Sequence, residues 1–286
     1  MQSLKMLNAS IVLYKHTPAE IKPLVETLQA AKNVSTVFLV DNSPVSDLEF
    51  EKMRVEYIFN NKNLGYGAAH NIAMRKSLEQ NTPYHLVVNP DIEFAPEILE
   101  EIEQFLNENT EIAHLMPKIV YPNDEIQYLC KLLPTPFDLI FRRFLPAKWT
   151  KKRMEKFEMR ASGYDKIMDV PYLSGSFMFL RTAALRDVGL FDERFFMYPE
   201  DIDLTRRLHA KYRTVFYPNV LVIHNHAQAS YKSSKMLFIH IANMIKYFNN
   251  WGWIFDKERK EMNRKILQKR HSDTESSSAF SESLNS

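Results

Sequence analysis

The sequence predicts an α/β fold in which helices flank a mostly parallel, twisted sheet. Short apolar runs alternate with amphipathic helical patterns through residues 10–105, and this alternation is typical of parallel strands joined by crossover helices. Polar segments rich in Asn, Asp and Gly directly follow several of the apolar runs. The composition, 45% hydrophobic and 25% charged residues, is sufficient for a substantial core.

Four strands and three helices are predicted in the first half of the chain. The apolar runs place the strands at residues 10–14, 34–40, 55–59 and 84–88. The first helix has Thr17 as its N-cap, Pro18 at its first position and Glu20 three residues after the cap, which is a capping-box pattern. We expect it to end near residue 32, a second helix to follow Gly65 and end near residue 79, and Pro96 to open a third.

The second half of the chain is less regular. Its patterns predict a strand at 171–181 around Gly175, a helix at 182–187, a helix opened by Pro199, strands at 213–217 and 220–223, and helical structure over 232–269 with a break at 249–252. We expect a main domain at residues 1–230 with a basic, aromatic insertion at 134–160, an amphipathic helical region at 231–270, and a disordered, serine-rich tail at 271–286.

The composition excludes several classes of protein. The single cysteine, Cys130, excludes a disulfide scaffold and a cysteine-based zinc site, and we expect its side chain to be a buried apolar group. No apolar run approaches the roughly 18 residues of a membrane-spanning helix, and the first residues lack a secretory signal pattern. These features predict a soluble protein of the cytoplasm.

Basic residues are concentrated in two segments. Residues 137–160 and 246–270 each contain eight Lys or Arg against three acids, although the net charge of the whole chain is only +2. The rest of the fold is therefore acidic, which argues against a nucleic-acid binder. Two interpretations of the basic segments stay open: solvated helices, or contact with an anionic membrane surface.

Asn89-Pro90-Asp91 follows the predicted strand at 84–88. Ligands of open α/β sheets bind beyond the carboxyl ends of the strands, and a carboxylate there can hold a divalent cation that bridges to a phosphate. Asn, Pro and Asp also favour ordinary turns. Taken alone, the motif leaves both interpretations open.

The loop from Asn61 to Gly67 joins a predicted strand to a helix. Gly65 and Gly67 allow close approach of a ligand to the backbone, and helix N-termini attract phosphate. The dinucleotide fingerprint fails because residue 70 is His, and the Gly-Lys-Ser/Thr ending of a Walker loop is missing. The loop therefore indicates either a nucleotide site of another type or a simple helix entry.

Two further motifs carry titratable groups. Glu200-Asp201-x-Asp203 opens a helix, and His224-x-His226 follows a strand. Acids at a helix N-terminus are stabilised by the helix dipole, but a carboxylate not needed for capping is a candidate general base. Histidines two residues apart on an extended segment point the same way, so either could bind a metal or serve as a hydrogen-bonded structural residue.

The order of these motifs is more specific than any one of them. Asp41-Asn42-Ser43 is followed by Asn-x-Asn-Leu-Gly-Tyr-Gly-Ala-Ala-x-Asn at 61–71, Asn-Pro-Asp at 89–91, Tyr-Leu-Ser-Gly-Ser-Phe-Met at 172–178, Gly-Leu-Phe-Asp-Glu at 189–193, Pro-Glu-Asp-Ile-Asp-Leu at 199–204, and His224. Across residues 6–255 this series resembles the family 2 inverting glycosyltransferases of the GT-A fold. It is most similar to the rhamnosyltransferase-like branch that builds bacterial surface polysaccharides.

The resemblance implies a role for each motif. Asp41 would contact the base or ribose of a nucleotide, and the rest of the nucleotide site would comprise Asn61, Asn63, Gly65, Gly67, Asn71 and Asn89. Asp91 would be the one carboxylate of a D-x-D metal motif whose first position is Asn89 here, and His224, in preference to His226, would be a further ligand of Mg²⁺ or Mn²⁺. Asp201 would be the catalytic base, with Glu200 beside it. Ser174, Gly175 and Ser176 would line the acceptor and sugar pocket.

The implied reaction moves a hexose or deoxyhexose, such as rhamnose, from a dTDP- or UDP-linked donor to a glycan or polyprenyl-linked acceptor with inversion. Such acceptors would place the enzyme on the inner face of the plasma membrane. Two alternatives remain. A sugar nucleotidyltransferase is disfavoured because residues 10–20 contain no glycine. In a non-catalytic nucleotide- or glycan-binding module, the acidic cluster would only cap a helix.

Overall fold

The computed structural model describes residues 6–225 and 234–269. The strands are β1 (Leu7–Leu13), β2 (Val34–Asp41), β3 (Glu56–Phe59), β4 (Tyr84–Val88), β5 (Ile92–Glu93), β6 (Ile112–Val120), β7 (Cys130–Lys131), β8 (Met168–Asp169), β9 (Tyr172–Leu173), β10 (Phe177–Arg181) and β11 (Arg213–His224). The helices are α1 (Pro18–Ala30), α2 (Tyr66–Glu79), α3 (Ile98–Glu108), α4 (Pro136–Leu139), α5 (Ala147–Phe157), α6 (Thr182–Val188), α7 (Glu200–His209), α8 (Ser234–Trp251) and α9 (257–269).

The main sheet has the strand order β3-β2-β1-β4-β10-β6-β11-β5, with β8 beside β11. The neighbours β3-β2-β1-β4 are all parallel, as the alternation of strands and helices predicts. β10 runs antiparallel between β4 and β6, whereas β6 and β11 are parallel. The expected mostly parallel α/β sheet is therefore confirmed, and β7 with β9 forms a separate small ribbon.

Helices cover both faces of the sheet. On β4, Leu86 and Val88 belong to the large core that includes the apolar faces of α1 and α3, whereas Val87 belongs to a second core with residues of α2, α6 and α7. Successive side chains of a strand point to opposite faces, so a strand buried on both sides reads as an unbroken apolar run. This explains why β1, β2 and β4 are recognisable in the sequence.

Local signals fix the starts of α1 and α2. The capping box of α1 is present as predicted, and Glu20 Oε2 accepts a hydrogen bond of 2.7 Å from the Thr17 N–H. Gly65 precedes α2 with φ of +88°, and a Cβ on this residue would lie 2.1 Å from the carbonyl oxygen of Phe196. Only glycine fits this position.

Three parts of the fold beyond residue 110 differ from the predictions. The strand expected at 171–181 is split into β9 and β10, and residues 174–176 between them form a turn. The two strands expected at 213–223 are one strand, β11, whose register shifts between Tyr217 and Leu221 because Pro218 has no N–H for the ladder. The central strand β6 was not predicted, since Pro117 argues against a strand interior.

The C-terminal helices contact α7: Trp251 Nε1 of α8 donates to Asp203 Oδ1 at 2.8 Å, and Glu258 of α9 pairs with Arg206 at 2.8 Å. Met244, Tyr247 and Phe248 of α8 are buried in the main core. The predicted helix break at 249–252 falls at Gly252, where φ is +100°. The predicted disordered tail and His226 lie outside the described residues.

The insertion at 134–160 forms α4, a 3₁₀ turn at Phe141–Phe144 and α5. Cys130, just before it, is buried as expected. Within the described ranges, none of the helices is long and apolar enough to cross a bilayer.

Candidate active site

Asp201 and Gly175 form the centre of the site. Asp201 stands in the first turn of α7, and its Oδ2 accepts a hydrogen bond of 3.0 Å from the Gly175 N–H. Its Oδ1 accepts a second bond of 2.8 Å from the Ile202 N–H. A Cβ on Gly175 would lie 3.1 Å from the Asp201 Cβ. The absence of a side chain at residue 175 therefore lets the β9–β10 turn approach this carboxylate closely.

Tyr66 connects this turn to the Asn89 motif. Its hydroxyl donates a hydrogen bond of 2.6 Å to the Gly175 carbonyl oxygen and lies 3.1 Å from Asn89 Oδ1. The Asn89 N–H donates to the Ser176 carbonyl oxygen at 2.9 Å. Ser174 Oγ and Ser176 Oγ are 3.3 Å apart in the same turn. The predicted pocket residues 174–176 thus lie between Asp201 and Asn89.

Glu200 and Asp201 are electrostatically distinct. Glu200 is buried, its Oε2 has no hydrogen-bond partner, and burial together with the charge of Asp201 raises its pKa well above the usual range. Burial also raises the pKa of Asp201, but the N–H groups of Gly175 and Ile202 oppose that shift. Because hydrogen bonds to a carboxylate favour its ionised form, we assign the negative charge of the pair to Asp201, which is also only half-buried.

Asp91 and His224 come together as predicted. His224 is buried at the end of β11, and its Nε2 lies 3.2 Å from Asp91 Oδ1. Gln127 donates from Nε2 to the His224 carbonyl oxygen at 3.0 Å, and its Oε1 lies 2.9 Å from His224 Nδ1. This orientation of the amide places the ring proton on Nδ1 in the neutral imidazole, so the Nε2 lone pair faces the Asp91 carboxylate.

This pair fits part of a divalent-metal site. A histidine that binds a metal usually donates its other N–H to a carbonyl-type oxygen, and Gln127 supplies that oxygen here. Among the described residues no group of three or more His, Cys, Asp or Glu side chains could hold a metal. Asp91 and His224 therefore offer two protein ligands, which leaves positions for phosphate oxygens and water.

The two halves of the site meet around Tyr66. Burial raises the pKa of its hydroxyl well above the usual range, and the charges of Asp201 and Asp91 add to that shift. Through its hydrogen bonds, Tyr66 lies between the turn that contacts Asp201 and the Asn89-Pro90-Asp91 segment.

Asp41 lies at the end of β2 and is buried. Its Oδ2 accepts a hydrogen bond of 2.7 Å from the Tyr57 hydroxyl and its Oδ1 accepts one of 2.8 Å from the Ser43 N–H. Burial and the Asp41 contact raise the pKa of Tyr57. The carboxylate is thus fixed at the carboxyl edge of the sheet, where a nucleotide was predicted.

The predicted nucleotide loop is held by asparagines. Asn63 Oδ1 accepts from the Gly65 N–H at 3.0 Å, and Asn42 Nδ2 donates to the Gly65 carbonyl oxygen at 3.1 Å. Asn61, with φ of +52°, is exposed at the start of the loop. A Cβ on Gly67 would lie 2.9 Å from the Phe191 Cβ. Gly67 is therefore required for the packing of α2 against Phe191, whether or not it also contacts a ligand.

Asn71 has a different environment from the other predicted nucleotide residues. It is buried, its Nδ2 donates to the Phe191 carbonyl oxygen at 2.9 Å, and its Oδ1 accepts from the Phe191 N–H at 3.0 Å. These bonds dock the 189–193 segment onto α2. A contact of Asn71 with a nucleotide stays a prediction.

Sequence reasoning missed several residues of this region, among them Tyr57, Tyr66 and Gln127. Tyr66 lies between the two glycines of the loop motif, which was a usable signal for a residue close to the ligand. Gln127 lies in a segment without a regular pattern, so only the fold brings it to His224.

Solved structures with this architecture define its class. GalNAc-T7, in complex with UDP, GalNAc and Mn²⁺, has a TM-score of 0.60 at 14% identity and is matched over 94% of this chain and 58% of its own. The mannosyltransferase PcManGT from Pyrobaculum calidifontis, in complex with GDP-Man and Mn²⁺, has a TM-score of 0.53 at 12% identity, over 98% of this chain and 80% of its own. The fold is the GT-A fold of glycosyltransferases, as the resemblance implied.

The family described as "Glycosyltransferase like family 2" matches residues 21–240, and the chain belongs to it. The low-salt glycan biosynthesis hexosyltransferase Agl10 of Haloferax volcanii is 27% identical, over 88% of this chain and 77% of its own length. The rhamnosyltransferase WbbL of Escherichia coli is 27% identical, over 83% and 91%. The N-acetylglucosaminyl-diphospho-decaprenol L-rhamnosyltransferase of Mycobacterium tuberculosis is 29% identical, over 59% and 58%. The chain thus spans less than two thirds of the mycobacterial relative.

Proposed function

We propose that this protein transfers a hexose or deoxyhexose from a nucleoside diphosphate sugar to a hydroxyl of a glycan or lipid-linked glycan, with inversion. The observation that supports this most is the chain of contacts from Asp201 through Gly175 and Tyr66 to Asn89, two residues from the Asp91–His224 pair. It sets a carboxylate that can accept a proton beside a site suited to a diphosphate.

Asp201 would act as the general base. It takes the proton of the acceptor hydroxyl while that oxygen forms a bond to the anomeric carbon of the donor. The bond from this carbon to the diphosphate breaks on the opposite face, and its electron pair leaves with the nucleoside diphosphate. Attack and departure on opposite faces invert the anomeric configuration. A positioned base typically contributes a factor of about 10² to 10⁴ in rate.

Asp91 and His224 would hold a divalent metal, Mg²⁺ or Mn²⁺. When bound, such an ion neutralises the charge that develops on the departing diphosphate. Gln127 would keep the His224 ring in the tautomer that presents Nε2. Asp41 and the loop of Asn61, Asn63, Gly65 and Gly67 would bind the nucleoside, while Ser174, Gly175 and Ser176 would contact the sugar and acceptor.

The relatives suggest the substrates. The names of the two rhamnosyltransferases and of the hexosyltransferase favour a rhamnose or hexose donor linked to dTDP or UDP. The mycobacterial relative acts, by its name, on a diphosphate-linked polyprenol. A lipid-linked acceptor would place this protein on the cytoplasmic face of a membrane.

The exposed apolar residues of the basic segments support that placement. Trp149 in the insertion is 75% exposed, and Ile254 and Phe255 between α8 and α9 are 70% and 89% exposed. Phe141 and Ile254 line one cavity, so the insertion and the 253–255 turn adjoin. Aromatic side chains among lysines are typical of surfaces that lie in a membrane interface.

The test is an assay of nucleoside diphosphate release with a panel of dTDP-, UDP- and GDP-linked sugars, with and without Mn²⁺ or Mg²⁺. A glycosyltransferase releases nucleoside diphosphate from one or a few donors, faster when an acceptor is added. Release of pyrophosphate from a nucleoside triphosphate and sugar phosphate would instead identify a nucleotidyltransferase. Donor binding without turnover across the panel would identify a binding module.

A further inference from the structure

Lys131 lies on the β7–β9 ribbon, which contacts α7 through the bond from Thr205 Oγ1 to the Leu173 carbonyl oxygen, although no sequence motif contains it. It pairs with Tyr172 across the β7–β9 ribbon, and its Nζ lies 5.3 Å from the centroid of the Tyr172 ring. Tyr172 is three residues before Gly175, the donor to Asp201. Burial lowers the pKa of Lys131, while the charges of Glu158 and Asp201 oppose that shift. The ammonium group is thus partly removed from water at the edge of the proposed base.

Arg142 contributes a second cation near this ribbon: the Leu132 N–H, next to Lys131, donates a bond of 2.9 Å to the Phe157 carbonyl oxygen of α5, and Arg142 contacts the same helix at Met154. Its charge acts on both Lys131 and Tyr172. Its Nη1 contacts Met154 Sδ at 3.5 Å, and its buried Nε has no hydrogen-bond partner. A thioether is a weak acceptor, and a buried guanidinium donor without a partner is costly. The charge of Arg142 is therefore poorly compensated by the protein itself.

We infer that Lys131 and Arg142 form an anion subsite that binds a phosphate or diphosphate ester group of the acceptor substrate. This inference rests on the proposed function, because it assigns the acceptor to the Asp201 side of the site. Guanidinium groups bind phosphate oxygens with two parallel hydrogen bonds, and lysine adds a point charge. Two cations that repel each other in the free protein are both neutralised by one such group.

The acceptor is favoured over the donor as the source of this phosphate. The donor diphosphate is assigned to the Asp91–His224 pair, whereas the residues acting on Lys131 are Asp201, Glu158, Arg142 and Cys130. A group bound at Lys131 and Arg142 would instead hold the acceptor so that its hydroxyl faces Asp201. Lys131 and Arg142 are therefore specificity residues, and Asp201 remains the group that takes the proton.

The test compares two acceptors that differ only in the diphosphate: N-acetylglucosaminyl diphosphate on a short isoprenyl chain, and octyl N-acetylglucosaminide. In the wild type we expect the diphosphate acceptor to have the lower KM. Lys131→Gln and Arg142→Gln should each raise that KM by about tenfold or more and leave the KM of the octyl glycoside unchanged. Arg142→Lys should recover part of the loss, and Lys166→Gln, a change of an exposed lysine, should have no effect.

A second measurement does not depend on turnover. Calorimetry in EDTA should show inorganic pyrophosphate binding that both variants weaken by about tenfold or more and that Lys166→Gln does not alter. Affinity for UDP with Mn²⁺ should be unchanged in both variants. Weakened UDP binding would assign the cations to the donor, and an equal rise in KM for both acceptors would show that they bind no phosphate; either result overturns the inference. Absence of turnover with intact pyrophosphate binding would contradict the proposed function only.

Discussion

The hydroxyl of Tyr66 donates a hydrogen bond of 2.6 Å to the carbonyl oxygen of Gly175, and the N–H of the same glycine donates to Asp201. One peptide segment is therefore held from both sides, by the loop at the start of α2 and by the start of α7. The proposed base and the proposed nucleotide loop share this segment, so a change on one side is expected to affect the other.

Tyr66→Phe tests this coupling. The ring packs edge-on against His70 and Phe191, so phenylalanine should keep the fold while removing the bonds to Gly175 and Asn89. We expect kcat to fall by about tenfold, the effect of one hydrogen bond of about 1.4 kcal/mol, with an unchanged melting temperature to within a few degrees. Tyr212→Phe, which removes a hydroxyl bonded to the exposed Asp187, is the control. Equal kcat values for the two variants would argue against the coupling.

Asp201→Asn should lower kcat by a factor of about 10² to 10⁴, because the amide cannot take the acceptor proton. The protein should remain folded with a modest loss of stability, since the single amide oxygen can accept only one of the two hydrogen bonds from Gly175 and Ile202. Steady-state kinetics with circular dichroism measures both effects, and Asp187→Asn at an exposed ion pair is the matched control. An Asp201→Asn protein with normal turnover would remove this residue from the mechanism.

The sequence identifies the nucleotide-binding half of the fold well and the other half poorly. β1, β2 and β4 are apolar runs buried on both faces, and α1 begins with a capping box, so local sequence patterns locate these elements. β6 is equally buried, but Pro117 within it argues against a strand in the sequence pattern. In β11, Pro218 makes one strand look like two. Proline within a strand is a local signal that tertiary pairing overrides.

Some residues of the candidate site could be predicted from the sequence and others could not. Asp91, Asp201 and His224 stand at the ends of regular elements, and the family resemblance of the ordered motifs predicts that they meet; the contact of Asp91 with His224 agrees with this. Gln127, Lys131 and Arg142 come from a segment whose position depends on the β7–β9 ribbon and on short helices. Neither periodicity nor spacing predicts where such a segment packs.

Gln127 is not one of the proposed metal ligands, but it supports His224, so its substitution tests the proposed metal site. Gln127→Leu removes the oxygen beside His224 Nδ1, and loss of such a supporting bond typically lowers metal affinity by about 10- to 100-fold. We expect Mn²⁺ titration of donor turnover to show this increase in the half-saturating concentration. Gln104→Leu, on the exposed face of α3, is the control. Unchanged Mn²⁺ dependence in Gln127→Leu would separate this residue from the metal site.

If the protein contacts a membrane through its basic segments, substitution of the exposed apolar residues in those segments should weaken vesicle binding. The double variant Ile254→Ser, Phe255→Ser should reduce binding to vesicles of phosphatidylcholine with phosphatidylglycerol by about tenfold, because two exposed apolar side chains lose their burial in the interface. Binding of the wild type should weaken as salt increases. Val45→Ser, which changes another exposed apolar residue, should bind as the wild type does. Cosedimentation that is independent of both the variant and the salt would contradict membrane docking.

His114 predicts how stability depends on pH. It lies in β6 opposite Leu180 and Thr214, both of its ring nitrogens are buried without hydrogen-bond partners, and burial lowers its pKa to about 3. The unfolded chain has a histidine pKa of about 6.5, so between pH 6.5 and 3 it binds a proton that the native state excludes. The contribution of neutral His114 to the free energy of unfolding is therefore fully present above pH 6.5. It is lost as the pH decreases towards 3, by up to about 1.4 kcal/mol per pH unit for one histidine.

His114→Leu should reduce by one the number of protons taken up on unfolding, so the free energy of unfolding should vary less with pH. The variant should be at least as stable at pH 7, because it replaces an unpartnered polar ring in the core with an apolar side chain. His85, whose pKa burial also lowers to about 3, should maintain part of the slope in the variant. Urea denaturation at several pH values between 4.5 and 7.5 measures the difference, and His16→Asn near the surface is the control. If the slopes of His114→Leu and the wild type coincide, His114 is already protonated in the folded protein or is accessible to water.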